Sequence, residues 1–168
     1  MKRILLDTNV YGRLLEDKLF LRDFVMLVPC SFIVYGSSLV RKELRDLSAN
    51  AKIEGKNKRI LLLTIYDSLI RKENHSLHVT DVIILIAHKY FEEYKKNEGN
   101  LSLHEMLPDF TLIALASVHA LDLVVSDDSR TMVSESAKKA YYTINQKYQF
   151  RTPSLYTYNK FKEYVKGV

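Results

Sequence analysis

Acidic residues stand at separate points of the sequence where a metal-dependent reaction could use them together. They are Asp7, Glu43, Asp109, Asp127 and Asp128. Several carboxylates in one cleft repel one another unless they are protonated or neutralised by a cation. A ligand set made of oxygen atoms suits Mg²⁺ or Mn²⁺ and disfavours zinc. Because such ions lower the pKa of a bound water and polarise a phosphoryl oxygen, the pattern indicates phosphodiester hydrolysis.

Each acid also has an ordinary structural explanation. Asp7 precedes a helical pattern and would cap it, although Thr8 or Asn9 could serve as the cap. Asp109 follows a proline at the predicted opening of an apolar helix, where a carboxylate complements the helix dipole. Glu43 lies at the edge of an apolar helix face, where a surface acid is equally expected. Asp127 and Asp128 come just after an apolar run and could be turn and cap residues. The local sequence therefore leaves both explanations open.

Short apolar runs alternate with segments of helical periodicity along the chain. The predicted strands are residues 3–6, 31–35, 121–125 and 148–151, and residues 74–80 are predicted as a strand or a turn. The predicted helices include residues 58–70, 82–94 and 108–120, with a terminal helix opening at Pro153. This alternation predicts an α/β fold with a mostly parallel sheet covered on both faces, in a single domain over residues 1–168.

The expected sheet gives the acids a common location. Ligand sites of parallel α/β sheets lie beyond the carboxyl ends of the strands. Asp7 ends the first predicted strand, and Asp127 and Asp128 follow a later one. The fold therefore predicts that acids from distant parts of the chain meet at one edge of the sheet.

The bulk composition is compatible with a nucleic-acid partner. The 168 residues include 25 Lys and Arg against 20 Asp and Glu, which gives a formal net charge of +5. Arg41, Lys42 and Arg45 adjoin Glu43 and would hold RNA phosphates, although a solvated helix face gives the same pattern. The single cysteine, Cys30, excludes an intramolecular disulfide and is predicted to be buried. With no signal peptide and no apolar stretch that could span a membrane, the chain is predicted to be cytoplasmic.

Other enzyme classes lack their motifs here. The sequence has no Gly-rich phosphate loop, no G-x-S-x-G elbow and no HExxH zinc motif. An aspartyl phosphatase would carry a second Asp two residues after Asp7, where this chain has Asn9. These absences favour the carboxylate-based chemistry.

Four segments resemble the motifs of PIN-domain proteins, in the family's order. They are ILLDTNV at residues 4–10, SSLVRKEL at 37–44, DFTLIALA at 109–116 and LVVSDD at 123–128. The resemblance implies a three-layer α/β/α sandwich and a Mg²⁺- or Mn²⁺-dependent ribonuclease of the kind found as VapC-type toxins. It also implies an RNA substrate, a small antitoxin as a partner, and a homodimer.

The resemblance assigns roles residue by residue. Its four acids match Asp7, Glu43, Asp109 and Asp128. Asp127 occupies the position between Ser126 and Asp128 and is a further candidate metal ligand. The polar positions that would orient carboxylates or water match Thr8, Asn9 and Ser126.

The chain also departs from the compact toxins of the family. It is longer, chiefly between residues 74 and 108. Two alternatives to a toxin therefore stay open at this point: an RNA-processing nuclease, and a non-catalytic module that keeps the fold and binds RNA or a protein partner.

Overall fold

The computed structural model describes residues 1–48, 50–70, 72 and 75–168. The strands are β1 (Lys2–Leu6), β2 (Phe32–Ser37), β3 (Lys52–Ile53), β4 (Lys56–Asn57), β5 (Ser76–Leu77), β6 (Leu123–Val125) and β7 (Ser154–Tyr156). The helices are α1 (Thr8–Glu16), α2 (Lys18–Ser31), α3 (Ser38–Asp46), α4 (Lys58–Leu69), α5 (Asp81–Lys96), α6 (Leu103–Val118), α7 (Glu135–Tyr148) and α8 (Tyr158–Lys166). Within these described residues, no helix is both long and apolar enough to cross a membrane.

The central sheet has five parallel strands in the order β5-β2-β1-β6-β7. In the middle of it, Ile4 of β1 is paired with Val34 of β2 and with Leu123 of β6. All three residues of β6 are buried, as expected for a strand whose two faces are both covered. The predicted α/β fold, with a parallel sheet flanked by helices, is confirmed.

Two of the acids that the sequence singled out lie on helices, Glu43 on α3 and Asp109 on α6, and α6 begins earlier than predicted. Helix α6 starts at Leu103, because Ser102 and Glu105 form a reciprocal capping box. Pro108 and Asp109 therefore lie inside α6 and not at its opening. The explanation of Asp109 as a first-turn residue that complements the helix dipole is wrong.

The C-terminal segment also differs from the prediction. Helix α7 continues to Tyr148 and ends where Gln149 adopts a left-handed conformation, with φ of 59°. The predicted strand at residues 148–151 is therefore absent, and the last strand is β7. Helix α8 begins at Tyr158 and is capped by Thr157, so Pro153 does not open it.

Further elements were not predicted from the sequence. The helical pattern predicted after Asn9 extends only to Phe20, so most of the long helix α2 has no counterpart in the sequence-based assignment, and neither does the antiparallel β3–β4 hairpin. Cys30 is exposed near the end of α2, so the prediction of a buried thiol is wrong. Of the segment 74–80, Asn74 lies outside the described residues, and Ser76 and Leu77 form β5.

Candidate functional site

The candidate site lies at the carboxyl edge of the sheet, where β1 and β6 end side by side. The Asp7 backbone N–H donates to the Val125 carbonyl at 2.9 Å, so the two strand ends are joined directly. Asp7 is 9% exposed and caps helix α1. Ser126, which follows β6, is buried beside it. The topology thus brings the first and fourth acidic motifs together.

The carboxylate of Asp7 is held by polar groups from both strand ends. Oδ1 accepts from the Thr8 backbone N–H at 2.7 Å. Oδ2 accepts from Asn9 Nδ2 at 2.6 Å and from Ser126 Oγ at 2.7 Å. These contacts fix the orientation of the Asp7 carboxylate. The predicted supporting positions Thr8, Asn9 and Ser126 all adjoin it.

Glu43 and Asp109 each accept a hydrogen bond from a threonine hydroxyl. Thr8 Oγ1 donates to Glu43 Oε2. Thr131 Oγ1 donates to Asp109 Oδ2. Thr131 was not identified from the sequence, because nothing local links it to a residue 22 positions earlier.

The carboxylates of the site influence one another electrostatically. Burial raises the pKa of Asp109 to about 7, and the negative charges of Asp7, Asp128 and Glu43 add to the shift against the hydrogen bond from Thr131. Burial also raises the pKa of Asp7, and the charges of Glu43 and Asp128 again add to it. Four acids from four distant segments therefore share one electrostatic environment.

Asp128 belongs to this group through both its position and its backbone. Its Oδ1 accepts from the Arg130 N–H at 3.1 Å and the Thr131 N–H at 3.0 Å, which closes a turn. Its own N–H donates to Ser126 Oγ at 3.0 Å. Asp128 is thus tied to Ser126 and, through Thr131, to the hydroxyl that holds Asp109.

Asp127 makes different contacts from its neighbour. Its Oδ1 accepts from the Tyr158 N–H at 2.7 Å, at the start of α8. Its Oδ2 lies 3.5 Å from Arg13 Nε, and its N–H donates to Asn9 Oδ1 at 3.1 Å. The structure therefore directs the Asp127 carboxylate towards α1 and α8, while Asp128 lies with the other acids. The role of Asp127 as a metal ligand stays a prediction.

The carboxylate oxygens of the site are suitable ligands for a divalent cation. Their side chains, however, do not converge on one position. Throughout the described residues, no three His, Cys, Asp or Glu side chains form a group ready to hold a metal ion. In that same part of the chain, the four acids make no ion pair with Lys, Arg or His. The residues Asp7, Glu43, Asp109 and Asp128 fit Mg²⁺ or Mn²⁺ by ligand type and by uncompensated charge.

The predicted RNA-contacting residues differ in their availability. Arg41 Nη2 lies 3.4 Å from Asp67, and Lys42 Nζ lies 2.5 Å from Asp46. Arg45 is exposed and forms no ion pair with any described residue. The structure thus places Arg41 and Lys42 in surface ion pairs and leaves Arg45 open to a ligand.

A groove of about 510 Å³ opens between α3, α5 and α6, and two of these helices carry Glu43 and Asp109. Its apolar walls include Leu39, Val79, Ile84, Leu107 and Pro108. Its polar and basic lining includes Lys42, Arg45 and His104. Lys42 adjoins Glu43 in the sequence and Pro108 adjoins Asp109, so the groove borders the acidic site.

Comparison with solved structures identifies the fold. No protein-family model matches the sequence, and neither does any curated protein. One similar structure is VapBC2 from Rickettsia felis bound to a DNA fragment from its promoter. The matching chain is 12% identical to this one, with a TM-score of 0.59, and the match covers 92% of this chain and 98% of that one. A chain of VapBC-1 from nontypeable Haemophilus influenzae is 14% identical with a TM-score of 0.58, over 94% and 99%.

A third neighbour agrees with these two. A chain of FitAcB from Neisseria gonorrhoeae is 20% identical with a TM-score of 0.53, covering 92% of this chain and 97% of that one. At these identities the likeness is one of fold. The chain has the PIN-like fold that its four sequence motifs predicted.

Proposed function

We propose that this protein is an endoribonuclease that depends on a divalent metal ion. The observation that carries the proposal is the group of four acids at the carboxyl edge of the sheet. Burial, and to a smaller extent their mutual negative charge, raises the pKa of Asp7 and Asp109, and no cation pairs with the four acids among the described residues. The PIN-like fold and the sequence motifs favour RNA as the substrate. The same fold in VapBC2, VapBC-1 and FitAcB supports a toxin of a toxin–antitoxin pair as the finer assignment.

Each acid would serve as a ligand of one or two Mg²⁺ or Mn²⁺ ions. Asp7 is buried, and Glu43, Asp109 and Asp128, which are partly exposed, complete the set. When bound, the ion would supply the positive charge that lowers the pKa of a water and stabilises the phosphoryl oxygens. Because the pKa of Asp109 is about 7, its carboxyl is partly protonated at neutral pH and would release that proton when a cation binds.

The hydroxyl and amide groups around the acids would position them. Ser126 and Asn9 fix Asp7, and Thr131 holds Asp109. Thr8 holds Glu43 and also donates its backbone N–H to Asp7. A carboxylate that is already oriented loses less conformational entropy when it takes up a ligand.

Cleavage of RNA by the purified protein with Mn²⁺, compared between wild type and Asp7→Asn, tests this function. Asp7→Asn removes one charge and keeps the size of the side chain, so we expect cleavage to fall at least about a hundredfold. Asp67→Asn, which alters an exposed acid paired with Arg41, is the matched control and should cleave like wild type. The nuclease assignment fails if wild type does not cleave, or if Asp7→Asn cleaves equally well.

A second candidate function is a partner-binding module without catalysis. The observation that favours it is that no described group of side chains is arranged in advance to hold a metal ion. The groove between α3, α5 and α6 would then be the working surface. Wild-type protein that binds no Mn²⁺ and cleaves no RNA, yet binds a protein partner through this groove, would establish the second function.

For an antitoxin-type partner, the groove has suitable chemistry in either case. Apolar walls with Lys42 and Arg45 beside them would accept an amphipathic segment with an acidic face. Co-purification with the product of a small neighbouring reading frame tests this. We expect Leu107→Glu, which places a charge in the groove wall, to abolish that co-purification, and Leu85→Glu on the exposed face of α5 to leave it intact. Equal behaviour of the two variants would place the partner elsewhere.

A further inference from the structure

An excess of unpaired positive charge follows the helix that carries Glu43. Five cations occur between residues 45 and 59 and make no ion pair with any described residue; together they are named the basic arm: Arg45, Lys52, Lys56, Lys58 and Arg59. The acids within this stretch are Asp46, which pairs with Lys42, and Glu54, which pairs with Lys18. Both acids are thus engaged by cations outside the basic arm.

The basic arm rests on a formed β-hairpin. Lys52 pairs with Asn57 and Ile53 with Lys56 across the antiparallel β3–β4 ladder. The turn has positive φ at both of its central residues, 50° at Glu54 and 76° at Gly55. Two consecutive positive φ values suit the right-handed twist of a two-residue hairpin. The lysines of the hairpin are therefore presented by regular structure.

An ion pair attaches the hairpin to the rest of the molecule, and a backbone hydrogen bond closes its base. Lys18 Nζ lies 2.8 Å from the Glu54 carboxylate, which ties the turn to the start of α2. The Lys58 N–H donates to the Ala51 carbonyl at 2.8 Å and closes the base of the hairpin. Asp17, next to Lys18, contacts Lys162 of α8. The hairpin is thus anchored at the junction of α1 and α2, and α1 begins at its cap, Asp7.

The basic arm begins on the helix that carries Glu43. Arg45 lies two residues after Glu43, about 3 Å farther along the axis of α3 and about 200° around it, so the two side chains project from opposite sides of the helix. The hairpin begins shortly after α3 ends at Asp46. Arg41 and Lys42, the cations nearest to Glu43 in sequence, are paired with Asp67 and Asp46. The cations free to meet phosphates are therefore Arg45 at the end of α3 and, beyond it, those of the hairpin and of the start of α4.

We propose that the basic arm binds the backbone phosphates of the RNA strand beside the point of cleavage. The proposal rests on the proposed function, because it assigns the substrate path of that same site. Lysines on an exposed hairpin contact a phosphate backbone without reading its bases, so the arm would raise affinity for any sequence. Each contact displaces a condensed counterion, which makes the arm visible in the salt dependence of binding.

Fluorescence anisotropy with a labelled single-stranded RNA, measured in EDTA to prevent cleavage, tests the arm. The variant Lys52→Gln/Lys56→Gln/Lys58→Gln is compared with Lys139→Gln/Lys147→Gln/Lys166→Gln, which removes the same charge from exposed positions on α7 and α8. Because the arm variant has three fewer cations to neutralise phosphates, we expect the slope of log K against log salt to fall by about 2. At low salt the affinity should fall at least about tenfold in the arm variant and less than about twofold in the control.

Three outcomes would overturn the proposal that the basic arm binds RNA. They are equal decreases in affinity in the two triple variants, an unchanged slope of log K against log salt in the arm variant, and absence of RNA binding by wild type. A decrease seen with duplex DNA and not with RNA would replace the RNA backbone by DNA as the ligand. Cleavage of the same RNA with Mn²⁺ is measured separately. Arm-dependent binding without any cleavage contradicts the nuclease assignment and leaves the arm established.

Discussion

Two clusters of buried polar side chains in this protein differ in charge: one is neutral, and the other consists of ionisable acids. Between α5, α6 and α7, Asn145 accepts from the Tyr90 hydroxyl at 2.5 Å and donates to Ser117 Oγ at 3.0 Å. All three side chains are almost fully buried, and all are neutral. At the carboxyl edge of the sheet the polar groups include ionisable acids, and burial and mutual repulsion raise the pKa of Asp7 and Asp109.

The difference separates a cluster that stabilises the fold from one that does not. Neutral buried groups that satisfy one another contribute to stability and specify one packing. Buried acids without a cation cost free energy, since the folded state disfavours their charged form. Retention of that cost at a strand edge is the pattern of a functional site. The two clusters should therefore respond differently to mutation.

The largest effect is expected in the neutral cluster. Asn145→Ala removes the nearer of two hydrogen-bond acceptors of the Tyr90 hydroxyl and the amide that donates to Ser117, and it leaves a cavity, so we expect the free energy of unfolding to fall by about 3 kcal/mol. Urea denaturation measures the change. An exposed Asn100→Ala should change stability very little. A similar cost for the two variants would show that the buried cluster does not stabilise the fold.

The acidic cluster should respond in the opposite direction. Because the pKa of Asp109 is about 7 when folded and near 3.8 when unfolded, the folded state binds more protons between these values. The free energy of unfolding of the metal-free protein should therefore decrease as pH rises from about 4 to about 7. Asp109→Asn should stabilise the metal-free protein at pH 8 by on the order of 2 kcal/mol and much less at pH 5.

Thermal unfolding of wild type and Asp109→Asn at the two pH values checks this prediction. Thr131 can still donate to the amide oxygen of the new side chain, so the packing is retained. If Asp109→Asn instead destabilises the protein at pH 8, the negative charge of Asp109 is compensated in the folded state. The contrast between the two clusters would then disappear.

The smallest effect distinguishes the two adjacent acids after β6. Asp127→Ala removes the acceptor of the Tyr158 N–H, so we expect a decrease of about 1 kcal/mol in the free energy of unfolding, measured by urea denaturation. Asp127→Asn keeps an acceptor and loses the half-exposed ion pair with Arg13, so its cost should be below about 0.5 kcal/mol. If Asp127→Asn instead abolishes Mn²⁺ binding, Asp127 is a ligand and its structural explanation is insufficient.

The sequence predicted the parts of the site that strands position. Asp7 and Asp128 follow apolar runs that form β1 and β6, and parallel strands bring such ends to one edge. Thr131 could not be found in this way, since its contact with Asp109 arises only when the turn after β6 packs on α6. The place of Thr131 in the site therefore depends on tertiary packing alone.

Two errors concern local signals that were present in the sequence. The capping pattern Ser102–Leu–His–Glu105 marks the start of α6 at Leu103, whereas the prediction placed the start five residues later, at Pro108. Glu54 and Gly55 mark a two-residue turn, although the strands beside it are only two residues long and show no alternation. The error at α6 changed the explanation of Asp109, and the missed hairpin hid the presentation of the basic arm.

Isothermal titration of the purified protein with Mn²⁺ tests most directly whether the acidic edge is a cation site. At pH 7 we expect wild type to bind Mn²⁺ and release protons, because Asp109 is partly protonated before the ion arrives. Asp7→Asn and Asp109→Asn should each weaken binding at least about tenfold, while the control Asp67→Asn should bind like wild type. Wild type without measurable Mn²⁺ binding, or Asp7→Asn and Asp109→Asn with unchanged affinity, would contradict a cation site at this edge.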